Sequence, residues 1–165
     1  MVEVRDRGLQ ALASELRTLN LSTVRLGVTG PVADEIHPVA KVPNGVLAKW
    51  LHFGTDTMPA RPFVDQGVSL IRTEARTAWR KAARDIARGA KVVDALRPLA
   101  KLGASAVQDA VDDANSWVSW QLSERTINRK GHDRHLIDTG TIRDAIGYGI
   151  VHGGKVLENG LANGS

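Results

Sequence analysis

Cysteine is absent from the sequence, which excludes disulfides, iron–sulfur clusters and thiolate zinc sites and is compatible with a reducing cytosol. Long apolar runs are absent too. None approaches the roughly 18–20 residues that a helical membrane span needs, so no membrane partner is expected. The first ten residues alternate Glu3, Arg5, Asp6 and Arg7, the opposite of a signal-peptide core, and no export is expected. Nucleotide-binding signatures are missing: there is no GxxxxGKS or GxxxxGKT loop and no GxGxxG, and Gly147-Tyr148-Gly149 lacks the following helix such a loop requires. No Ser or Thr nucleophile motif accompanies a histidine. Catalysis therefore has no support in the sequence, and neither an enzyme activity nor a cofactor is expected.

What is present is the composition of a folded domain, 42% hydrophobic and 24% charged. A chain of 165 residues buries roughly 70% of the surface its unfolded form exposes, so one core is expected. Val4, Leu9, Leu12, Ala13, Leu16 and Leu19 recur at helical spacing and predict an amphipathic helix over 3–19, despite Gly8. Residues 23–29 alternate apolar and polar side chains until Gly30-Pro31, which predicts a half-exposed strand. Pro31, Pro38 and Pro43 mark a loop with room for a hairpin strand. Asn44 is placed to cap a short helix over 45–52, whose Val46, Leu47, Trp50 and Leu51 share one face.

The longest helix is expected over 62–89, with Pro62 suited to its first turn. At 100° per residue, Val64, Val68, Ile71, Ala75, Ala78, Trp79, Ala82 and Ile86 form its core-facing stripe, while Arg72, Arg76, Arg80, Arg84 and Arg88 form an outward ladder. A short piece over 92–100, carrying Pro98, then leads to a further helix over 102–123 whose weak point is Gly103. Its outer surface is acidic through Asp109, Asp112 and Asp113. Residues 124–140 read as a polar loop, a single helical turn falls at 140–145, a strand occupies 142–151, and Val156-Leu157 can add another. No internal repeat is present.

Few constellations carry chemistry. His132-Asp133-Arg134-His135 is the only histidine cluster, and without a third ligand it reads as a solvated turn, so no metal is expected. His52 with Asp56 could serve as a base, but the simpler reading is a partly buried residue at a helix end. The Arg ladder offers five guanidinium groups on one face, able to follow phosphates or meet carboxylates. Trp79, on its core side, leaves that face without aromatic interleaving for base stacking.

Two segments carry a resemblance. Phe53-Gly54-Thr55 followed by Met58-Pro59-Ala60-Arg61-Pro62-Phe63 resembles the "EFGT … PARPF" of the tail-completion, or head–tail joining, proteins of long-tailed bacteriophages. Arg125-Thr126-Ile127-Asn128-Arg129-Lys130-Gly131, then 136–146 with Asp138-Thr139-Gly140, resembles that family's "TIxxKG … PLIDTGxLRxSI". With the early helix and strand, the likeness spans residues 3–152. Three positions depart from the pattern: His52 stands where Glu is usual, His135 where Pro is usual and Ala145 where Ser is common. If the family Glu makes an inter-subunit ion pair, His52 replaces it by a contact that varies with pH.

The resemblance implies an α+β fold, a small antiparallel sheet packed against one long helix, with additional helices in the middle of the chain. It further implies a ring, often sixfold, at the head-proximal end of the tail, where the chain meets itself, the tail tube or terminator protein and the head connector or adaptor proteins. Genomic DNA would pass through without sequence-specific recognition, and the chain would be made in the host cytoplasm and reside in the virion. Arg61, its backbone constrained by Pro62, is suited either to an interface carboxylate or to a local cap or salt bridge in its own chain. Phe53 and Phe63 read as core anchors, and Asp138-Thr139-Gly140 as a side-chain-to-backbone turn that launches the last strand. The competing expectation is a basic nucleic-acid-binding protein using the Arg face of helix 62–89. One domain over 1–157 is expected, helical over about 62–123, with a loose tail at 158–165. The net charge of +4 is local: residues 61–101 hold ten Lys+Arg against four acids, so the remainder is slightly acidic.

Overall fold

A computed structural model describes residues 7–163. Helix α1 (Arg7–Asn20) leads into β1 (Ser22–Val28), a 3-10 turn (Pro31–Ala33) and α2 (Asn44–Phe53). Three helices follow, α3 (Phe63–Leu70), α4 (Arg72–Ala87) and α5 (Val92–Asp112), then the short α6 (Ala114–Trp117), α7 (Glu124–Lys130) and α8 (Thr141–Asp144). Strands β2 (Ile146–His152) and β3 (Lys155–Leu161) complete a three-stranded antiparallel sheet ordered β1-β2-β3. The fold is α+β, and the sheet packs against the longest helix, α5.

That long helix is not the one expected. Residues 92–112 form a single helix that runs through Pro98 and Gly103. Pro98 is exposed, and the carbonyl it leaves without a helical partner belongs to Asp94, also exposed, so the lost bond falls on the solvent side. Gly103 is buried where Leu26 of β1 crosses the helix; an added Cβ would stand 2.7 Å from its Cδ1. The glycine is the seat for that leucine rather than a weak point. The amino terminus of α5 is capped from α1, because Val92 N donates to Glu15 Oε2 at 2.8 Å.

The helix expected over 62–89 is broken at Ile71 (φ −106°, ψ 18°). α3 lies against the carboxyl-terminal half of α5, where Gly67 touches the Ala106–Val107 backbone, while α4 places Ala82 and Ile86 beside Val92 and Leu96. The break lets the two pieces follow different stretches of α5. Phe63, Gly67, Ala82 and Ile86 are buried, but Val68 and Trp79, expected in the core, are exposed.

The predicted strand over 23–29 is β1, with Val24 and Leu26 toward the core and Thr23 and Arg25 outward. Val4 of the expected first helix lies outside the described residues. The helix over 45–52 is α2, but Asn44 does not cap it: the side chain is buried and donates instead to Val32 O at 3.1 Å. Residues 124–130, expected as loop, form α7, capped by Ser123, which accepts from Thr126 N, and ended by left-handed Gly131. Residues 158–161, assigned to a loose tail, belong to β3. Glu158 is held there by Arg97 of α5 (2.6 Å) and by the Tyr148 hydroxyl (3.0 Å).

Candidate assembly surfaces and a buried-arginine cavity

Gly54 (φ +78°) ends α2, and its missing Cβ is required: one would stand 2.8 Å from both Ala60 N and Met58 O. The chain then turns tightly, Thr55 N to Met58 O at 2.8 Å, and Arg61 N returns to Leu51 O at 2.9 Å. Pro62 precedes the first residue of α3, and Phe63 enters the core at 1% exposure. The other phenylalanine does not. Phe53 is 71% exposed, contrary to the expected anchoring role, because it continues the outward stripe Val46, Trp50, Phe53 along α2. Pro59 and Thr55 are exposed on the same turn.

The second motif is fixed to α5. Arg143 chelates Asp112 at 2.6 and 2.7 Å, and Gln108 donates to Arg143 O at 3.2 Å. The acidic face expected on α5 is thus partly spent within the chain. Thr141 N donates to the Thr139 hydroxyl, and left-handed Gly140 opens α8. Asp138 does not join that turn; its carboxylate pairs with Arg129 of α7 at 2.9 Å.

These two motif segments, remote in sequence, line one cavity of about 650 Å³ together with α7 and the 120–123 segment. Arg61 projects there at 8% exposure. Its Cζ lies 4.5 Å from the centre of the Trp120 ring, its Nε has no hydrogen-bond partner, and no acid pairs with it among the described residues. A buried polar group left unpaired costs about 1–3 kcal/mol, of which a cation–π contact offsets about 0.5–2 kcal/mol. Neither local role expected for Arg61, cap or salt bridge, is observed.

Behind Trp120 lies His135, ring centroids 4.9 Å apart. It is buried, not solvated as expected, and its backbone N donates to Asn115 Oδ1 at 2.8 Å. Burial, and then the charges of Arg61 and Lys130, push the His135 pKa below its ordinary 6.5. Burial likewise lowers Lys130 and Arg61. A base with a depressed folded pKa binds its proton more readily when unfolded. Its stabilisation is complete above about 6.5 and drains away as pH falls toward the lower folded value. The urea midpoint should therefore fall between pH 7 and 5, and fall less in His135→Phe; equal slopes would exclude His135 as the cause.

His52 contacts Asp65 (3.6 Å), not Asp56, and packs edge-on against Phe53 and Phe63, which makes it part of the hinge between α2 and α3. Among the described residues no group of three or more His, Asp or Glu could hold a metal ion, and no helix is long and apolar enough to cross a membrane.

The Arg ladder lies on α4, which packs against α5 and α1, whereas α2 packs against the 3-10 turn, β1 and α8. Arg72, Arg76 and Arg80 rim an open groove floored by Val68, Trp79 and Leu99, and Trp79 is 45% exposed. The aromatic expected on the core side thus lies among the cations. By contrast, the chain segments on either side of α2 carry exposed Asp34, Glu35, Asp56 and Asp65 against Lys41 and, on α2 itself, Lys49. One subunit therefore exposes apolar side chains on two different helices, on α4 among arginines and on α2 within an acid-richer stretch of chain. Comparison of the chain with family models, curated proteins and solved structures gives no match.

Sequence reasoning missed the Trp120–Arg61 stack and the exposure of Phe53 and Trp79. Only α7 had a readable signal, Ser123 three residues before Thr126 and the Lys130-Gly131 ending.

Proposed function

We propose that the chain is a non-enzymatic structural protein of a long-tailed phage virion, forming a ring at the head-proximal end of the tail and joining it to the head connector. The observation that carries the assembly reading is the pair of dissimilar exposed apolar faces, Val46, Trp50 and Phe53 on α2 and the arginine-margined Trp79 groove on α4. A ring built from one repeated contact needs two different, complementary surfaces on each subunit. The phage assignment rests on the resemblance of residues 53–63 and 125–146, and its support is that these segments fold against a common cavity. In that setting the subunit meets tail tube or terminator protein on one side and connector protein on the other, with DNA passing through the ring unread. Cryo-electron microscopy of purified particles tests it: density for this chain at the head–tail junction is expected, and its absence from the particles would overturn the assignment.

Trp79 in the arginine groove gives the second reading, nucleic-acid binding, an observation of its own, since bases stack on an exposed aromatic beside cations. It requires duplex or single-strand affinity that falls steeply with salt and disappears when Arg72, Arg76 and Arg80 are replaced by Gln.

A further inference from the structure

The cavity at Arg61 has a charge with no answer inside it. Of the cations on its walls, Arg129 is neutralised by Asp138, the one acid among the described residues that lines the space. Lys130 Nζ donates to the Arg134 carbonyl, which satisfies a hydrogen bond but removes no charge. Arg61 has only the Trp120 face, with Nε buried and unpartnered. The remaining walls combine apolar side chains, Leu47, Leu51, Leu122 and Ile137 among them, with the hydroxyls of several Ser and Thr residues.

We propose that this cavity is a binding site for a carboxylate carried on an apolar body about the size of a leucine or phenylalanine side chain, the carboxylate meeting Arg61 and the body lying against the leucine and isoleucine walls. The volume suits a small ligand or one or two residues of a peptide, since such sites span about 300–1,000 Å³. A planar guanidinium matches a carboxylate through two parallel N–H bonds, and Arg61 lines the cavity with no carboxylate of its own among the described residues. The site is independent of ring formation: it requires only the folded chain.

The test is titration of the full-length protein, followed by amide resonances in two-dimensional NMR, with three probes. N-acetyl-leucine supplies the free carboxylate, N-acetyl-leucinamide its neutral isostere, and a terminally blocked Leu-Glu-Leu peptide a carboxylate within a chain. Saturable shifts centred on Leu51, Trp120 and Ile137 are expected for the acids, with the neutral isostere about tenfold weaker or more, as one charge-assisted pair implies. Tighter binding of the blocked peptide would identify the source as an acidic side chain of a protein segment, and tighter binding of N-acetyl-leucine a free carboxylate; either supports the site. Arg61→Gln should abolish the difference between acid and amide, and Arg61→Lys should restore part of it. If Arg61→Gln does not fold, the comparison of acid with amide on the unaltered protein decides alone. Equal shifts from acid and amide, or none from either acid, would overturn the proposal.

Discussion

Replacing Phe63 by Ala is expected to lower the free energy of unfolding by about 3–5 kcal/mol, whereas replacing Phe53 by Ala changes it by less than about 0.5 kcal/mol. The two phenylalanines bracket the same motif, and only their surroundings differ. Phe63 is 1% exposed and packs with Ala48, Val107, Val111, Ile142 and Ile146, so truncation leaves a cavity bounded by α2, α5 and β2. Phe53 is 71% exposed at the end of α2 and loses almost no intramolecular burial. Urea titration at fixed pH measures both. A comparable loss from both substitutions would mean that Phe53 is buried in the isolated subunit, and the α2 stripe would no longer be a free face.

The second large effect is at Gly67. Alanine normally stabilises an exposed helix interior by about 1 kcal/mol over glycine, but here the sign reverses. An added Cβ would stand 2.6 Å from Ala106 O and 2.7 Å from Val107 N and Cα, all backbone atoms of α5. Backbone cannot step aside as a side chain can, so α3 must move away from α5, and Gly67→Ala should cost about 3 kcal/mol. Gly103→Ala is the matched control. Its new methyl meets the end of the Leu26 side chain, which can change rotamer, and the gain in helix propensity offsets part of the strain. Gly103→Ala should therefore cost clearly less. A Gly67→Ala variant as stable as the parent would show that α3 and α5 are not in backbone contact.

The local periodicities that proved readable were those with one dry and one wet side. β1 alternates because its outer residues, Thr23 and Arg25, face solvent, and α2 was located by the same logic, whereas β2, buried on both faces, was placed by its β-branched and small residues. The α+β class followed from these elements and from the resemblance. The continuity of α5 was hidden because a proline reads as a stop unless its lost bond is known to face water. The break at Ile71 has no proline or adjacent glycine to announce it. Once the helix breaks, the phase of α3 shifts against α4, so a stripe drawn through a straight helix misplaces Val68; Trp79 keeps the face of α4 that carries buried Ala82 and Ile86 but is left 45% exposed. More generally, an apolar stripe states that a face avoids water without saying what covers it. Phe53, Trp50 and Trp79 are apolar positions that their own chain leaves uncovered. The cavity was legible only in halves: residues 53–63 and 136–144 stood out as motifs, while their meeting, and the insertion of Trp120 over Arg61, is long-range packing that no local pattern encodes.

Head-to-tail docking of the α2 face into the α4 groove is tested most directly by sedimentation velocity on mixed variants. One variant, Trp50→Ser with Phe53→Ser, loses only the α2 face; the other, Arg76→Glu with Arg80→Glu, loses only the groove margin, and all four positions are exposed. A heterologous contact predicts that the unaltered chain forms a discrete closed oligomer, that each variant alone is monomeric, and that an equimolar mixture stops at dimers, because one intact pair of faces remains. An unaltered chain that stays monomeric at every concentration, or a variant that still forms the full oligomer alone, would contradict the account.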